Sequence, residues 1–468
     1  MNLVELIFFL VSGFIITFYA LFYAYYLFLF LVSLYGIGTQ PRWARLLVPE
    51  QLMGSSMTPP VTLVVPAYNE TATIVESVHA LLGLQYPRLE VVVINDGSTD
   101  DTLGELIRSF SLRRADVAYH ARLPTERVRG IYLSTLERRL MVIDKVNGGK
   151  SDALNAGINL SRTPWVCSVD ADSILEEEAL LRVMRAAIED NTVVACSGIV
   201  RIANGCQVAD GRILRVALPS ERLALFQVVE YLGGFLQGRL GWSWLNGLLI
   251  ISGAFGAFRT DVLRAVGGYA RDTVGEDMEV VVRIHRYCRQ VRRPYRVVFV
   301  PDPVCWTEVP TRLGALRRQR RRWQRGLVEV LAKHWDIFFR PRQGVVGFLA
   351  LPYFALEASA PLVELFGYFL VPWVWWMGWL DTNYFKLYLV MAFLVGIVFA
   401  ISGVLLEEFS FRRYTSWGEL FRLLFFALAK QVGYHQLVLW WRLEGILDYL
   451  RRPREWGEQV RTGFRKRS

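Results

Sequence analysis

Cysteine is scarce in this chain, and the few residues present form no pattern. Cys167, Cys196, Cys206, Cys288 and Cys305 make no CxxC pair, and no histidine stands at metal-ligand spacing. This argues against a disulfide framework and a zinc–thiolate site, and reads the thiols as reduced packing residues. GxxxxGK[ST] and GxGxxG are also missing, which weakens both a P-loop nucleotidase and a dinucleotide-binding dehydrogenase. There is no internal repeat and no low-complexity tract. The first apolar stretch has neither a basic leader nor a small-residue cleavage site, so it does not read as a removed signal peptide.

Apolar residues, in contrast, are plentiful. They fill 53% of the 468 positions, and the mean hydropathy of +0.28 is high for an ordinary soluble enzyme. Residues 3–35 carry a single charge, Glu5. That length exceeds the ~20 residues a bilayer core requires, so one anchor helix is expected. Residues 345–380, interrupted by Glu357, Pro361 and Glu364, read as one long broken span or a tight pair, and 387–406 as a clear span. Residues 419–450 carry Lys430, Gln431, His435 and Arg442 and read as interfacial. Residues 225–251 are broken by Glu230, Gln237 and Arg239, which favours cleft-wall or interface helices over a span. A net charge of +10 raises a nucleic-acid partner. The basic residues, however, crowd at 317–325 and 451–467 beside apolar sequence, as cytoplasmic juxtamembrane clusters do. The expected partner is therefore the lipid bilayer and not nucleic acid. Arg42 and Arg45 place the following segment in the cytoplasm. The expected division is an anchor over 1–36, a cytoplasmic catalytic domain over 37–341, C-terminal spans over 342–410, and an amphipathic or membrane-spanning helix with a basic cytoplasmic tail over 411–468.

Beyond the small-residue linker at 54–60, short apolar runs alternate with helical periodicity. Strands are expected at 61–68, 89–96, 139–143, 165–170 and 193–203, with helices between them. This is the α/β pattern of a mainly parallel sheet with helices on both faces. Three strands end in polar groups: Tyr68-Asn69-Glu70, Asn95-Asp96-Gly97-Ser98 and Asp170-Ala171-Asp172. If they are neighbours, these ends converge on one crevice at the carboxyl edge of the sheet. Asp170 and Asp172 lie on one side of a strand end and offer hard oxygen donors for Mg²⁺ or Mn²⁺; a capped turn is the plainer reading. Asp96 reads as a turn residue when taken alone and as a ligand contact in that company. Gly148-Gly149-Lys150 suits a phosphate, or is a glycine turn with a solvated lysine. Glu276 and Asp277 open a helix, where carboxylates favour the dipole, and Asp277 can also serve as a general base toward an acceptor hydroxyl. Gln319, Arg322 and Trp323 share one helix face, suited to a diphosphate and a sugar ring.

Together, Tyr68-Asn69-Glu70, Asn95-Asp96-Gly97-Ser98, Asp170-Ala171-Asp172, Gly275-Glu276-Asp277 and Gln319-x-x-Arg322-Trp323 resemble, in order and spacing, the membrane-embedded family 2 glycosyltransferases. These include the cellulose, hyaluronan, chitin and poly-N-acetylglucosamine synthases. The resemblance runs from about Pro60 to Lys333 and implies a GT-A catalytic domain that binds a UDP-sugar and Mg²⁺ or Mn²⁺. It places Tyr68, Glu70, Asp96, Lys150, Asp170, Gln319 and Arg322 on the nucleotide-sugar, with Asp96 at the uridine. Asp172 becomes the metal ligand and Asp277, beside Glu276, the catalytic base. Trp323, Ser252 and Gly253 become acceptor contacts. Gly275 stands where many relatives have Thr, and no gating loop or appended regulatory domain is recognisable, which argues against cellulose synthase proper.

The implied activity is inverting β-transfer from a UDP-sugar to a growing polysaccharide, with UDP-N-acetylglucosamine and UDP-glucose as leading donors. The enzyme would be a multi-pass protein of the bacterial inner membrane with a cytoplasmic active site. Two alternatives stay open: single-sugar transfer to a lipid such as a polyprenyl phosphate or diacylglycerol, and a non-catalytic nucleotide-sensing membrane protein.

Overall fold

The structure is a computed structural model, and it describes residues 3–39, 52–209, 211–411, 413–414 and 416–451. Arg42, Arg45 and the basic tail beyond Arg451 lie outside the described residues. Two compact units are present.

The first unit comprises the chain up to Ala217, after the N-terminal helix, and Leu245–Val309. It is built on ten strands of one sheet: β1 (Val61–Ala67), β2 (Leu89–Asp96), β3 (Leu112–Ala115), β4 (Val128–Ser134), β5 (Leu140–Lys145), β6 (Trp165–Val169), β7 (Ile174–Leu175), β8 (Val193–Ile202), β11 (Phe255–Arg259) and β12 (Arg296–Thr307), with β9 (Gln207–Ala209) and β10 (Arg212–Arg215) as a separate hairpin. Their order is β3-β4-β5-β2-β1-β6-β11-β8-β12-β7. The expected mainly parallel sheet holds at the centre, where β5, β2, β1 and β6 run parallel. The flanks depart from it: β11 is antiparallel to both β6 and β8, and β3–β4, β4–β5 and β12–β7 are antiparallel. The parallel centre is covered on its faces, so β1, β2 and β6 are near-continuous runs of buried apolar residues.

The helix Lys150–Leu160 packs on β1 and β2, and every residue after Lys150 is buried. Close approach is possible because position 157 is glycine. A Cβ there would stand 2.3 Å from Val64 Cγ1 and 3.0 Å from Ile94 Cδ1. In an open helix Gly→Ala gains about 1 kcal/mol, but here the overlap wins. Gly157→Ala is expected to destabilise the protein by about 1–3 kcal/mol, read as a lowered Tm in detergent; an unchanged or raised Tm would refute that packing.

The second unit gathers the N-terminal helix, Leu218–Trp244 and the chain from Pro310 onward. Segments 218–244 and 310–341, which the sequence reading assigns to the catalytic domain, group with the long helices instead. The reason is visible in their contacts: Gln227 donates to Pro310 O at 2.9 Å, Ser33 to Gln237 O at 2.7 Å, and Arg317 pairs with Glu444 at 2.6 Å. Among the described residues three helices are long and apolar enough to cross a membrane: Leu6–Gly36, Val346–Trp376 and Thr382–Ser410, with 31, 31 and 29 residues. At 1.5 Å per residue each exceeds the ~30 Å hydrocarbon core. They pack together through Ile15, Tyr19, Val371, Val374, Tyr388 and Ala392. Within residues 345–380, Val346–Trp376 is thus a single helix through Pro361 and Pro372 and not a tight pair. Of the stretch 225–251, residues 225–244 fall in the helices Arg222–Tyr231 and Arg239–Trp244, joined by a π-helical turn, while 245–251 lie in no helix and belong to the sheet unit.

Candidate active site

β5, β2, β1 and β6 leave the sheet at one edge, with Asp96 opposite Lys145 and Asn95 opposite Ala67. The three polar strand ends are therefore neighbours. Tyr68 is half-exposed at the end of β1. Asn69 follows with φ +57°, a left-handed conformation that Asn tolerates because its short side chain bonds locally. Its Oδ1 accepts from Thr99 N at 2.8 Å, and its own N–H donates to Ser98 Oγ at 3.1 Å. Glu70 is buried, donates its N–H to Thr102 Oγ1 at 2.8 Å and accepts from the Thr73 hydroxyl at 3.1 Å. These bonds lock the turn after β1 to the turn after β2.

Asp96 faces inward. Its carboxylate accepts from Lys145 Nζ at 2.5 Å, Gly148 N at 3.0 Å and Gly149 N at 2.8 Å. Burial lifts its pKa above the usual carboxylate range, although Lys145 and both amides pull the other way. Three protein donors already occupy Asp96, and its visible work is to shape the Gly148–Gly149 turn. Gly149, at φ +86°, ends that turn and presents Lys150 as the first residue of its helix.

Lys150 is the meeting point. Its ammonium pairs with Asp170, and both side chains are about a quarter exposed, at 26% and 28%. Burial works against its charge, but Asp170, Glu276 and Asp277 together outweigh burial and hold its pKa above the usual value. The Ser252-Gly253-Ala254 loop passes alongside: a Cβ on Gly253 would stand 3.0 Å from Lys150 Nζ. Asp172 feels the opposite balance. Burial first, then Asp170, push its carboxyl up to about 7, with Glu308 adding to the repulsion and Lys150 opposing it. A surplus of carboxylate charge beside an ion pair fits a divalent cation. Among the described residues no group of three or more His, Cys, Asp or Glu is placed to hold a metal. A cation at Asp172 would therefore complete its shell with diphosphate oxygens and water. Glu276 and Asp277 start the helix Glu276–Gln290, with Glu276 buried and Asp277 partly exposed.

Gln319, Arg322 and Trp323 lie on the helix Leu313–Lys333, in the unit of long helices. Trp323 is 38% exposed, and its ring lies 6.2 Å from Phe235 and 6.5 Å from Tyr231, with the Arg320 guanidinium 4.5 Å above it. The run expected as a lipid-facing basic cluster is largely paired inside the protein. Arg317 holds Glu444, Arg320 holds Glu230 at 2.5 Å, Arg321 holds Asp448 at 2.7 Å and Arg325 holds Glu329 at 2.7 Å. Arg325–Glu329 is a pair four residues apart on one helix; the other three arginines meet partners that sequence proximity does not reveal.

Four residues around the site escape the sequence reading: Lys145, Asp152, Asn155 and Arg271. Lys145 bridges Asp96 and Asp152, while Asp152 also takes Arg271 at 3.0 Å. Asn155 bonds both the N–H and the C=O of Tyr269, at 2.8 and 2.9 Å. The available signal was a lysine closing an apolar strand; Asp152 reads simply as a first-turn helix acid.

Residues 59–326, more than half of the chain, match the glycosyltransferase-like family 2. A poly-β-1,6-N-acetyl-D-glucosamine synthase of Staphylococcus epidermidis is 27% identical over 273 residues, 58% of this chain and 56% of that protein. The chain thus spans little more than half the length of that relative. A probable glycosyltransferase of Bacillus subtilis, YdaM, is 25% identical over 367 residues, covering 76% of this chain and 74% of its own. Among solved structures, a mannosyltransferase from Pyrobaculum calidifontis in complex with GDP-Man and Mn²⁺ superposes with a TM-score of 0.56 at 19% identity, over 94% of this chain and 99% of that one. At that identity the likeness is one of fold.

Proposed function

The chain belongs to glycosyltransferase family 2, and from that premise we propose that it is a membrane-integrated, inverting β-glycosyltransferase that moves a sugar from a UDP-sugar onto a growing polysaccharide. UDP-N-acetylglucosamine and UDP-glucose are the leading donors. Likeness to the staphylococcal synthases supports a polymer product. The three described helices long enough to span support membrane association; a multi-pass place in the inner membrane with a cytoplasmic active site is part of the same proposal.

The observation that carries this reading is the charge cluster at Lys150, where the phosphate-type turn, the Asp170–Asp172 loop and the Glu276–Asp277 helix start act on one ammonium. In the reaction, Asp277 takes the proton of the acceptor hydroxyl, whose oxygen attacks the anomeric carbon opposite the bond to UDP. That bond breaks with its electron pair on the β-phosphate oxygen, and one displacement inverts the configuration. Lys150 meets the charge that grows on the diphosphate. Asp172 is the residue that would hold Mg²⁺ or Mn²⁺, whose chemistry when bound is to neutralise the same leaving group. Tyr68 and Glu70 border the nucleotide, and Asp96 supports the turn beneath it. Gln319 and Arg322 are assigned to the diphosphate, and Trp323, Ser252 and Gly253 to the acceptor.

The test is UDP release from a panel of UDP-sugars by the full chain, with Mn²⁺, Mg²⁺ or EDTA, followed by product sizing. Metal-dependent release from one or two donors with a high-mass ladder is expected. A product one sugar larger than an added lipid would replace the polymer reading with the lipid-acceptor one. No release from any donor would revive the nucleotide sensor.

A further inference from the structure

Resting on the reading of Asp277 as the base, we propose that Arg271 is a positioning residue that fixes the base helix against the donor turn through a continuous line of ion pairs. The line begins at the Gly148–Gly149 turn, whose amides both donate to Asp96. Lys145 then lies between Asp96 and Asp152, 2.5 and 2.6 Å from their carboxylates. All three side chains are almost wholly buried, at 0%, 4% and 0% exposure. Two buried carboxylates against one ammonium leave a net negative charge in a place where an uncompensated charge is costly. The compensating cation comes from elsewhere in the chain. Arg271 Nε stands 3.0 Å from Asp152 Oδ2, and its Nη2 stands 2.6 Å from Glu126 Oε1. Glu126 closes the arrangement by donating its N–H to Asp152, 3.0 Å from Oδ2.

Arg271 lies six residues before Asp277, and the stretch just ahead of it, 266–269, is gripped from two helices. On the near side, Asn155, one turn beyond Asp152, grips Tyr269 through two hydrogen bonds. From the base helix, Arg283 reaches back to the carbonyls of Val266 and Gly268 in the same stretch, while paired with the buried Glu279. Residues 266–277 thus form a strap between the helix that opens with Lys150 and the helix that opens with Glu276. Arg271, about a third exposed, is the charged rung of that strap open to substitution without coring the sheet. Loss of the rung should displace Asp277 and leave the donor turn, held separately by Asp96 and Lys145, in place.

The test compares wild type, R271M and R271K as full chains in detergent, each with the UDP-sugar that wild type turns over. For R271M we expect kcat to fall about tenfold to a hundredfold, the scale of an ångström-sized misplacement. Donor KM and Mn²⁺-dependent UDP affinity should stay within about twofold. R271K should recover most of kcat by restoring the charge. Unchanged kcat in R271M would overturn the proposal, as would donor KM and UDP affinity worsening in step with kcat, because the residue would then serve the donor turn or the fold alone. If methionine at 271 prevents folding, R271Q against R271K makes the same comparison. A wild type that used only a GDP-sugar would overturn the donor assignment, while the Arg271 comparison would still be read with that donor.

Discussion

Replacing Asp277 by Asn is expected to lower turnover by about 10²–10⁴-fold, the range that a positioned general base contributes. UDP affinity should be unchanged. The substitution keeps the size of the side chain, and removes its negative charge and with it the ability to accept a proton. Asp277 is partly exposed at the first turn of its helix, next to the buried Glu276, and acts on Lys150 together with Asp170. Lys150 would keep Asp170 and Glu276 in the variant, so its ammonium stays available to a diphosphate. Isothermal titration of UDP with Mn²⁺, set beside initial rates of UDP release, separates the two effects. Normal turnover by the Asn variant would remove Asp277 from the base role.

Asp172→Asn should have the second largest effect, with opposite signs in two measurements. Metal-dependent UDP binding is expected to weaken beyond the roughly 10–100-fold that outer-shell losses cost. The metal-free protein, in contrast, should become more stable at pH 8. Folding holds the Asp172 carboxyl protonated up to about 7, chiefly because of burial and then Asp170. An unfolded chain releases that proton near pH 4. Between those values the folded state binds more protons, so its stability falls as pH rises and levels off above about 7. The Asn variant has no such proton to lose. Thermal unfolding in EDTA should therefore show the wild type gaining stability from pH 8 toward pH 5 and converging on the variant. Parallel curves for the two proteins would show that Asp172 is not under this electrostatic load.

The carboxyl edge of the sheet was legible because its strands are buried on both faces. Val61–Ala67, Leu89–Asp96 and Trp165–Val169 are apolar runs cut off by polar residues, and the polar ends carry the chemistry. β12 was hidden by Pro301-Asp302-Pro303, which reads as a turn; in the fold it is an irregularity where the pairing with β8 shifts between Phe299 and Val304. β11 follows a glycine-rich loop and lies antiparallel between two strands distant in sequence, so no local pattern announces it. The state of Asp96 was equally out of reach. Its partner Lys145 stands 49 residues away, and only the parallel register of β2 and β5 brings them together. The roles given to Gln319, Arg322 and Trp323 still rest on the pattern of their helix face and on the polymer reading.

The paired arginines of the helix Leu313–Lys333 bear on where this protein can be cut. Likeness to the family ends at residue 326, in the middle of that helix. A fragment trimmed there would carry Arg317 and Arg321 without Glu444 and Asp448, the carboxylates that hold them from 127 residues downstream. It would also part Gln324 from Arg442, and it would lay bare the groove where Gly445 lets two helices touch: a Cβ there would stand 2.5 Å from Arg321 O. The end of the family match is not a limit of folding. A shortened chain made for biochemistry should end before Pro310, where the sheet unit closes, or retain the last helix whole.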